Sequence, residues 1–111
     1  MKIWVDDVRP APEGYVWCKS TLNALHSIYH NADAIEEIHL DHDAGEYALE
    51  GGDYINILLN LERLCHSPNA IKRAYWLERC VSYRFGFHSA NPVGVENMRA
   101  ILKANHWREL K

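Results

Sequence analysis

The chain has 111 residues, of which 48% are hydrophobic and 24% charged, and its formal net charge is −3. This length indicates a single domain over residues 1–111, with a core that needs no disulfide or metal to hold it. The negative charge argues against general coating of DNA, because that function requires many phosphate-facing Lys and Arg side chains.

The predicted elements alternate between short apolar runs, typical of strands, and stretches with apolar residues at helical spacing. In chain order they are strand 2–5, loop 8–14, strand 15–18, helix 20–30, strand 35–40, loop 44–52, helix 53–66, helix 70–80, strand 82–87 and helix 91–105. The prolines of loop 8–14 oppose a helix there. Ser20, Asp53 and Asn91 are the predicted capping residues of three of the helices. This alternation predicts a compact α/β fold, a three-layer sandwich around a short, mainly parallel sheet of about four strands.

Three polar clusters follow predicted strands directly, each at the point where an apolar run ends. They are Asp6-Asp7, then Asp41-His42-Asp43, and then His88-Ser89 with Asn91. The carboxyl ends of neighbouring parallel strands meet at one edge of a sheet, where open α/β sheets bind their ligands. We therefore expect the three clusters to form one site.

The acids of the first two clusters predict a site for a hard cation. Asp6, Asp7, Asp41 and Asp43 would repel one another across strands that lie about 4.8 Å apart. Mg²⁺ or Mn²⁺, bound by carboxylate oxygens, would remove that repulsion and is the expected cofactor. Each acid pair alone is equally well explained as turn or loop solvation, and it is their equivalent positions that favour the metal.

Histidines and small polar groups complete the predicted site. His42 and His88 are candidate general acids or bases, because imidazole titrates near neutral pH. A surface role for His42 and a core role for His88 are the alternatives. Ser89, Asn91 and Gly94 are predicted to bind phosphate at the start of the last helix, where backbone N–H groups favour anions; an ordinary helix cap is the alternative.

A carboxylate-bound metal beside an anion-binding helix start indicates phosphoryl transfer or phosphoester hydrolysis. The catalytic candidates are Asp41, His42 and His88. The attacking group is either a metal-bound water or the Asp41 carboxylate, and the sequence leaves both open.

Three motifs resemble those of the cyclic-phosphate processing receiver-like family, which is related to response-regulator receiver domains. They are WVDDVRP at 4–10, LDHDAG at 40–45 and HSANPVG at 88–94. The resemblance spans nearly the whole chain in order. It implies a compact receiver-like (flavodoxin-like) fold and a role in processing cyclic phosphates, with RNA ends among the candidate substrates.

The chain departs from the signalling receivers in two respects. No fifth strand carrying their Lys-Pro pair is predicted, and loop 8–14 stands where their first helix lies. A phosphorelay role is therefore disfavoured. The segment 67–82 is a candidate insertion with an open role.

The leading hypothesis is a metal-dependent phosphoesterase acting on a cyclic or terminal phosphate. Its partner would be a phosphate-containing small molecule or an RNA end, with no membrane and no general DNA binding. The alternatives are a non-enzymatic module that binds a phosphorylated ligand or partner, and a phospho-acceptor signalling domain. We expect a cytoplasmic protein with free thiols, because the three cysteines form no CxxC pair and no signal peptide is evident.

Overall fold

A computed structural model describes residues 1–110, which form a parallel sheet of five strands and the helices packed against it. The strands are β1 (Lys2–Val5), β2 (Tyr15–Cys18), β3 (Glu37–Leu40), β4 (Arg84–Phe87) and β5 (Arg108–Glu109). The helices are α1 (Thr21–His30), α2 (Ile55–Cys65), α3 (Ala70–Ser82) and α4 (Pro92–Asn105), with a short 3₁₀ helix at Gly45–Leu49. The spatial order of the strands is β2-β1-β3-β4-β5, and every neighbouring pair is parallel.

Side-chain alternation gives the sheet two chemically different faces. On one face Ile3, Ile38 and Phe85 are register partners across β1, β3 and β4, and all three are fully buried. The apolar side chains of the helices are buried against this face, among them Ala24, Ile28, Leu58, Leu61 and Met98. The hydrophobic core therefore lies between this face and the helices.

All the helices lie on the same side of the sheet. The connections from β2 to β3, from β3 to β4 and from β4 to β5 all step in one direction along the strand order. Because such crossovers are right-handed, their helices are placed on one face. The connection from β1 to β2 is the loop 6–14, so within residues 1–110 the opposite face carries no helix.

The receiver-like α/β fold predicted from the sequence is confirmed, and two details differ from the prediction. The sheet has five strands instead of about four, and its helices form one layer instead of two. Within the described residues the other face has no helix because a loop, 6–14, connects β1 to β2.

The additional strand, β5, is only two residues long. It is held by the N–H of Leu110, which donates to the carbonyl of Phe85 at 2.7 Å, and by stacking of Trp107 on the Phe85 ring. Two residues are too few to produce a periodic pattern, so sequence reasoning missed it. The strand carries Arg108-Glu109, and no Lys-Pro pair.

Capping side chains define two of the helix starts as predicted. The Ser20 hydroxyl accepts the N–H of Asn23 at 3.0 Å before α1. The Asn91 side-chain oxygen accepts the N–H of Gly94 at 2.9 Å, with Pro92 as the first residue of α4.

The predicted cap of the second helix was wrong. Asp53 does not cap α2, which begins at Ile55 after Tyr54 and has no side-chain cap. The Asp53 carboxylate instead accepts the N–H of Ala44 at 3.0 Å and ties the loop after β3 to the start of α2.

Most of segment 67–82 forms α3, which packs on α2 through the buried Trp76 and Cys80. That this segment is an insertion stays a prediction. Cys18, Cys65 and Cys80 are free and buried. Among residues 1–110, no helix combines the length and apolar character needed to cross a membrane.

Candidate metal and phosphoester site

The carboxyl edge of the sheet brings residues of all three polar clusters together. The ladder extends one residue beyond each of three strands, since the N–H groups of Asp6, Asp41 and His88 donate to carbonyls of the neighbouring strand at 3.2, 2.9 and 3.1 Å. These three residues therefore lie side by side at the ends of β1, β3 and β4. The predicted convergence of the clusters follows directly from this parallel register.

Three carboxylates at this edge can reach one cation. Asp6, Asp7 and Asp41 each offer an oxygen, and these oxygens all lie within 4.8 Å of one another. Burial and the neighbouring charges of Asp6 and Asp41 raise the pKa of the Asp7 carboxyl. Such crowding of like charges favours a bound cation, and an all-oxygen set of donors is what Mg²⁺ and Mn²⁺ prefer.

Asp6 is the most firmly held of these acids. It is fully buried, and one of its carboxylate oxygens accepts the N–H groups of Val8 and Arg9, both at 2.9 Å. The other oxygen lies 3.0 Å from Nε2 of His88. Burial acts to raise the pKa of Asp6, but the hydrogen bonds from Arg9, Val8 and His88 outweigh it and lower this pKa. The Asp6 carboxylate is therefore held in a fixed orientation, and its hydrogen bonds favour the ionised form.

One ring nitrogen of His88 is bonded to Asp6, and the other has no partner in the described chain. Its ring stacks on that of Trp4, with the centroids 3.7 Å apart and 5° between the planes. Burial lowers the pKa of His88, although Asp6 and Asp41 oppose this shift. Because the Asp6 carboxylate can only accept, Nε2 carries the proton. Nδ1 is buried without a hydrogen-bond partner in the described chain.

Two residues without a predicted role fix His88 in place. The Trp4 indole N–H donates to the Arg9 carbonyl at 3.0 Å, and the Arg9 guanidinium donates to the His88 carbonyl at 2.5 Å. Together with the hydrogen bonds that the Asp6 carboxylate accepts from Arg9 and His88, these contacts close a ring that joins the end of β1 to the end of β4. The motif at 4–10 contains both residues, but its residue pattern does not indicate that the loop folds back over β4.

The residues of the second cluster, Asp41-His42-Asp43, belong to two different groups of possible metal ligands. Asp41 lies with Asp6 and Asp7, whereas Nδ1 of His42 lies 2.8 Å from the Asp43 carboxylate. His42, Asp43 and Asp53 form another set whose ligand atoms lie within 4.8 Å of one another. Asp43 was predicted to join the other acids, but it lies two residues beyond Asp41 in the loop that leaves the sheet. Asp53 was missed, because only the fold brings it near.

The predicted phosphate ligands lie beside His42, and much of their hydrogen-bonding capacity is already used. The Asn91 side-chain oxygen caps α4, and its Nδ2 lies 3.4 Å from both His42 Nδ1 and an Asp43 oxygen. The Ser89 hydroxyl accepts the N–H of Asn91 at 3.1 Å. A Cβ on Gly94 would overlap the His42 ring, so this glycine admits an imidazole. Phosphate binding by Ser89, Asn91 and Gly94 stays a prediction.

The comparison with known families gives one match. A family model described as the cyclic-phosphate processing receiver domain matches residues 1–104. No curated protein and no solved structure matches the chain significantly.

Proposed function

Because the chain belongs to the cyclic-phosphate processing receiver domain family, we propose that it is a metal-dependent phosphoesterase acting on a cyclic or terminal phosphate. RNA ends are one candidate source of such a phosphate. The observation that carries the proposal is the set of three carboxylates whose oxygens lie within 4.8 Å of one another, beside an imidazole whose buried Nδ1 has no partner in the described chain. Metal ligands and a proton acceptor are the two components that this hydrolysis requires.

Asp6, Asp7 and Asp41 would hold the Mg²⁺ or Mn²⁺ ion. Bound there, the cation supplies Lewis-acid polarisation of a phosphoryl oxygen and makes a water more acidic. Asp43 supports the site indirectly, since its carboxylate orients the His42 ring. Without a cation these acids would repel the reacting phosphate, so entry of that phosphate into the carboxylate site should depend on metal.

His88 is our candidate for the proton transfer. The Asp6 carboxylate fixes Nε2 as the protonated nitrogen, so Nδ1 is the nitrogen that would take a proton from the attacking group and pass it to the departing oxygen. His42, paired with Asp43, is the second candidate. The Ser89 hydroxyl and the Asn91 Nδ2 are side-chain donors that would orient phosphate oxygens, and Gly94 leaves room for the His42 ring beside them.

The nucleophile is a water or the Asp41 carboxylate. One Asp41 oxygen already accepts the N–H of His42 at 2.7 Å, which leaves the other for metal or for attack. Direct attack by water releases the product in one displacement, whereas attack by Asp41 forms an acyl phosphate that water must then hydrolyse.

The test is turnover of 2′,3′-cyclic nucleotides and of RNA with a 2′,3′-cyclic end, in Mg²⁺, in Mn²⁺ and in chelator. We expect metal-dependent ring opening that falls at least about 100-fold in Asp41→Asn and His88→Gln. Glu50→Gln, which removes an exposed acid outside the site, is the matched control and should keep full activity. Acid quenching followed by detection of an acyl phosphate distinguishes attack by Asp41 from attack by water.

Absence of turnover on every substrate, with no change in melting temperature on adding metal, would overturn the proposal. Stabilisation by a cyclic nucleotide without any product, surviving in Asp41→Asn, would instead identify a non-enzymatic binding module. A long-lived acyl phosphate after treatment with acetyl phosphate would identify a phospho-acceptor domain.

A further inference from the structure

The sheet face opposite the helices, called here the open face, carries aromatic and basic side chains. Register partners in parallel strands point to the same side, so the residues of each row lie together. The open face consists of two rows of register partners. One row is Lys2, Tyr15, Glu37, Arg84 and Arg108, and the other is Trp4, Trp17, His39 and Gly86. Lys19 lies just beyond the end of β2.

The composition of the open face is unsuited to packing against a helix. Faces of parallel sheets that are covered by helices are rich in Val, Ile and Leu. Here the rings contact one another, with His39 5.8 Å from Trp4 and 5.3 Å from Tyr15 between centroids. The ammonium of Lys19 lies 4.5 Å from the centre of the Trp17 ring. Half-buried rings interleaved with cations offer stacking surfaces bordered by positive charge.

The charge of the open face is opposite to that of the molecule. It holds four cations, Lys2, Lys19, Arg84 and Arg108, and one carboxylate, Glu37, in a chain whose formal net charge is −3. The Lys2 and Arg84 side chains, 41% and 45% exposed, each approach Glu37 to 3.7 Å and remain accessible. This segregation makes the open face complementary to a polyanion.

The open face is continuous with the candidate metal site. The Trp4 ring stacks on His88, and Asp6 lies two residues beyond Trp4 on the same side of β1. At about 3.3 Å per residue, the row of Lys2 lies about 13 Å from Asp6. The Arg9 guanidinium, bonded to the His88 carbonyl, lies at the junction. A strand of a few nucleotides spans this distance.

We propose that the open face binds a single-stranded nucleic acid whose end enters the candidate metal site. The rings of Trp4, Trp17 and Tyr15 provide stacking surfaces for bases, and the cations contact phosphates. This inference deepens the proposed function, since it identifies an oligonucleotide as the molecule that presents the phosphate. Binding to the face requires neither metal nor turnover, so the two proposals fail independently.

The test measures binding of fluorescein-labelled ten-nucleotide single strands, RNA and DNA of the same sequence, by fluorescence anisotropy in chelator and low salt. We expect saturable binding that weakens steeply as salt is added. The double variant Lys19→Gln/Arg84→Gln should bind about tenfold more weakly. The matched control, Lys72→Gln/Lys103→Gln, removes the same charge from the helical side and should stay within about twofold of the parent.

Trp17→Leu tests the stacking part of the proposal and should weaken binding at least fivefold, the low end for loss of one stacked base. Thermal melts of every variant verify folding before binding is compared. Equal weakening in the two charge variants, or no binding of either strand by the folded protein, would overturn the inference. Dimerisation in sedimentation experiments that Lys19→Gln/Arg84→Gln abolishes would also overturn it, because the face would then bind a second copy.

Discussion

The Asp7 carboxylate is the least favourably placed charge at the carboxyl edge of the sheet. Oxygens of Asp6, Asp7 and Asp41 lie within 4.8 Å of one another. Gly45 lies so close to Asp7 that a Cβ on Gly45 would overlap an oxygen of the Asp7 carboxylate. We predict that Asp7→Asn raises the melting temperature of the metal-free protein by several degrees, for a gain of about 1 kcal/mol. The same variant should lose most of the stabilisation that Mg²⁺ confers on the parent.

Differential scanning fluorimetry with and without Mg²⁺ measures both effects. Glu46→Gln removes an exposed acid outside the carboxylate group and is the control, expected to alter neither value appreciably. An undiminished response to Mg²⁺ in Asp7→Asn would contradict the assignment of this residue as a ligand.

Gly94 is a second residue whose environment makes a sharp prediction. A Cβ at this position would lie inside van der Waals contact of the His42 ring carbons. We expect Gly94→Ala to lower the free energy of unfolding by about 1–3 kcal/mol, as overpacking does. In the background of His42→Ala the same substitution should cost less than about 0.5 kcal/mol, because the ring is gone.

Chemical denaturation of the four proteins in this cycle measures the coupling between Gly94 and His42. An equal cost in both backgrounds would mean that strain within α4, and not the ring, limits position 94.

Residue-level prediction from the sequence succeeded where chemistry and strand position coincide. Asp6, Asp7 and Asp41 stand out because charged residues directly follow apolar runs, and the structure brings them together. Trp4 and Arg9 could not be assigned, since their shared partner His88 lies 79 residues beyond Arg9 and farther still from Trp4, and these contacts depend on the path of a loop.

At the scale of elements, the start of α4 determines how the third cluster faces the other two. The Asn91 oxygen caps the helix through the N–H of Gly94, and its Nδ2 faces Asp43 and His42. We predict that Asn91→Ala lowers the free energy of unfolding by about 1 kcal/mol. Asn91→Asp should recover most of this loss because it keeps the capping oxygen.

Urea denaturation measures these stabilities, and activity on a cyclic phosphate gives a second measurement. If Nδ2 orients the phosphate, Asn91→Asp stays stable yet loses activity, because it places a carboxylate where the amide was. Full activity in Asn91→Asp would show that capping is the only role of this residue.

Prediction of the elements was accurate wherever a strand or helix carried its own signal. The caps Ser20 and Asn91 were correct because a capping oxygen and the amide that it accepts lie within one turn. The start of α2 was wrong, because Asp53 makes a bond to Ala44, across a loop that sequence periodicity does not describe. The single helical layer depends on the spatial order of the strands, which no local pattern in the sequence indicates.

At the scale of the whole molecule, Glu37 ties four strands together. Its carboxylate accepts the Tyr15 hydroxyl at 3.0 Å and lies within 3.7 Å of Lys2 and Arg84 and 3.2 Å of His39. Burial acts to raise the pKa of Glu37, but these hydrogen bonds and cations outweigh it and lower this pKa. The folded protein therefore binds the Glu37 proton less readily than the unfolded chain does.

A lowered pKa in the folded state means that the stabilisation from Glu37 is present above the unfolded pKa, near 4.5, and is lost as pH falls through the folded value. We predict that Glu37→Gln lowers the free energy of unfolding at pH 6 by about 1–3 kcal/mol. Between pH 6 and pH 3.5 the variant should lose less stability than the parent. Urea denaturation across this range, with Glu50→Gln as control, tests the sign, and parallel pH profiles would contradict it.

The ring of contacts that joins Asp6 to His88 spans 82 residues of sequence, which has a consequence for the order of folding. The acids Asp6, Asp7 and Asp41 assemble as soon as β1 and β3 pair, whereas His88 arrives only with β4. Contacts of such long separation form late, because the loop-closure entropy must be overcome first. A cation held by these three acids would therefore stabilise the pairing of β1 with β3 without any contribution from β4.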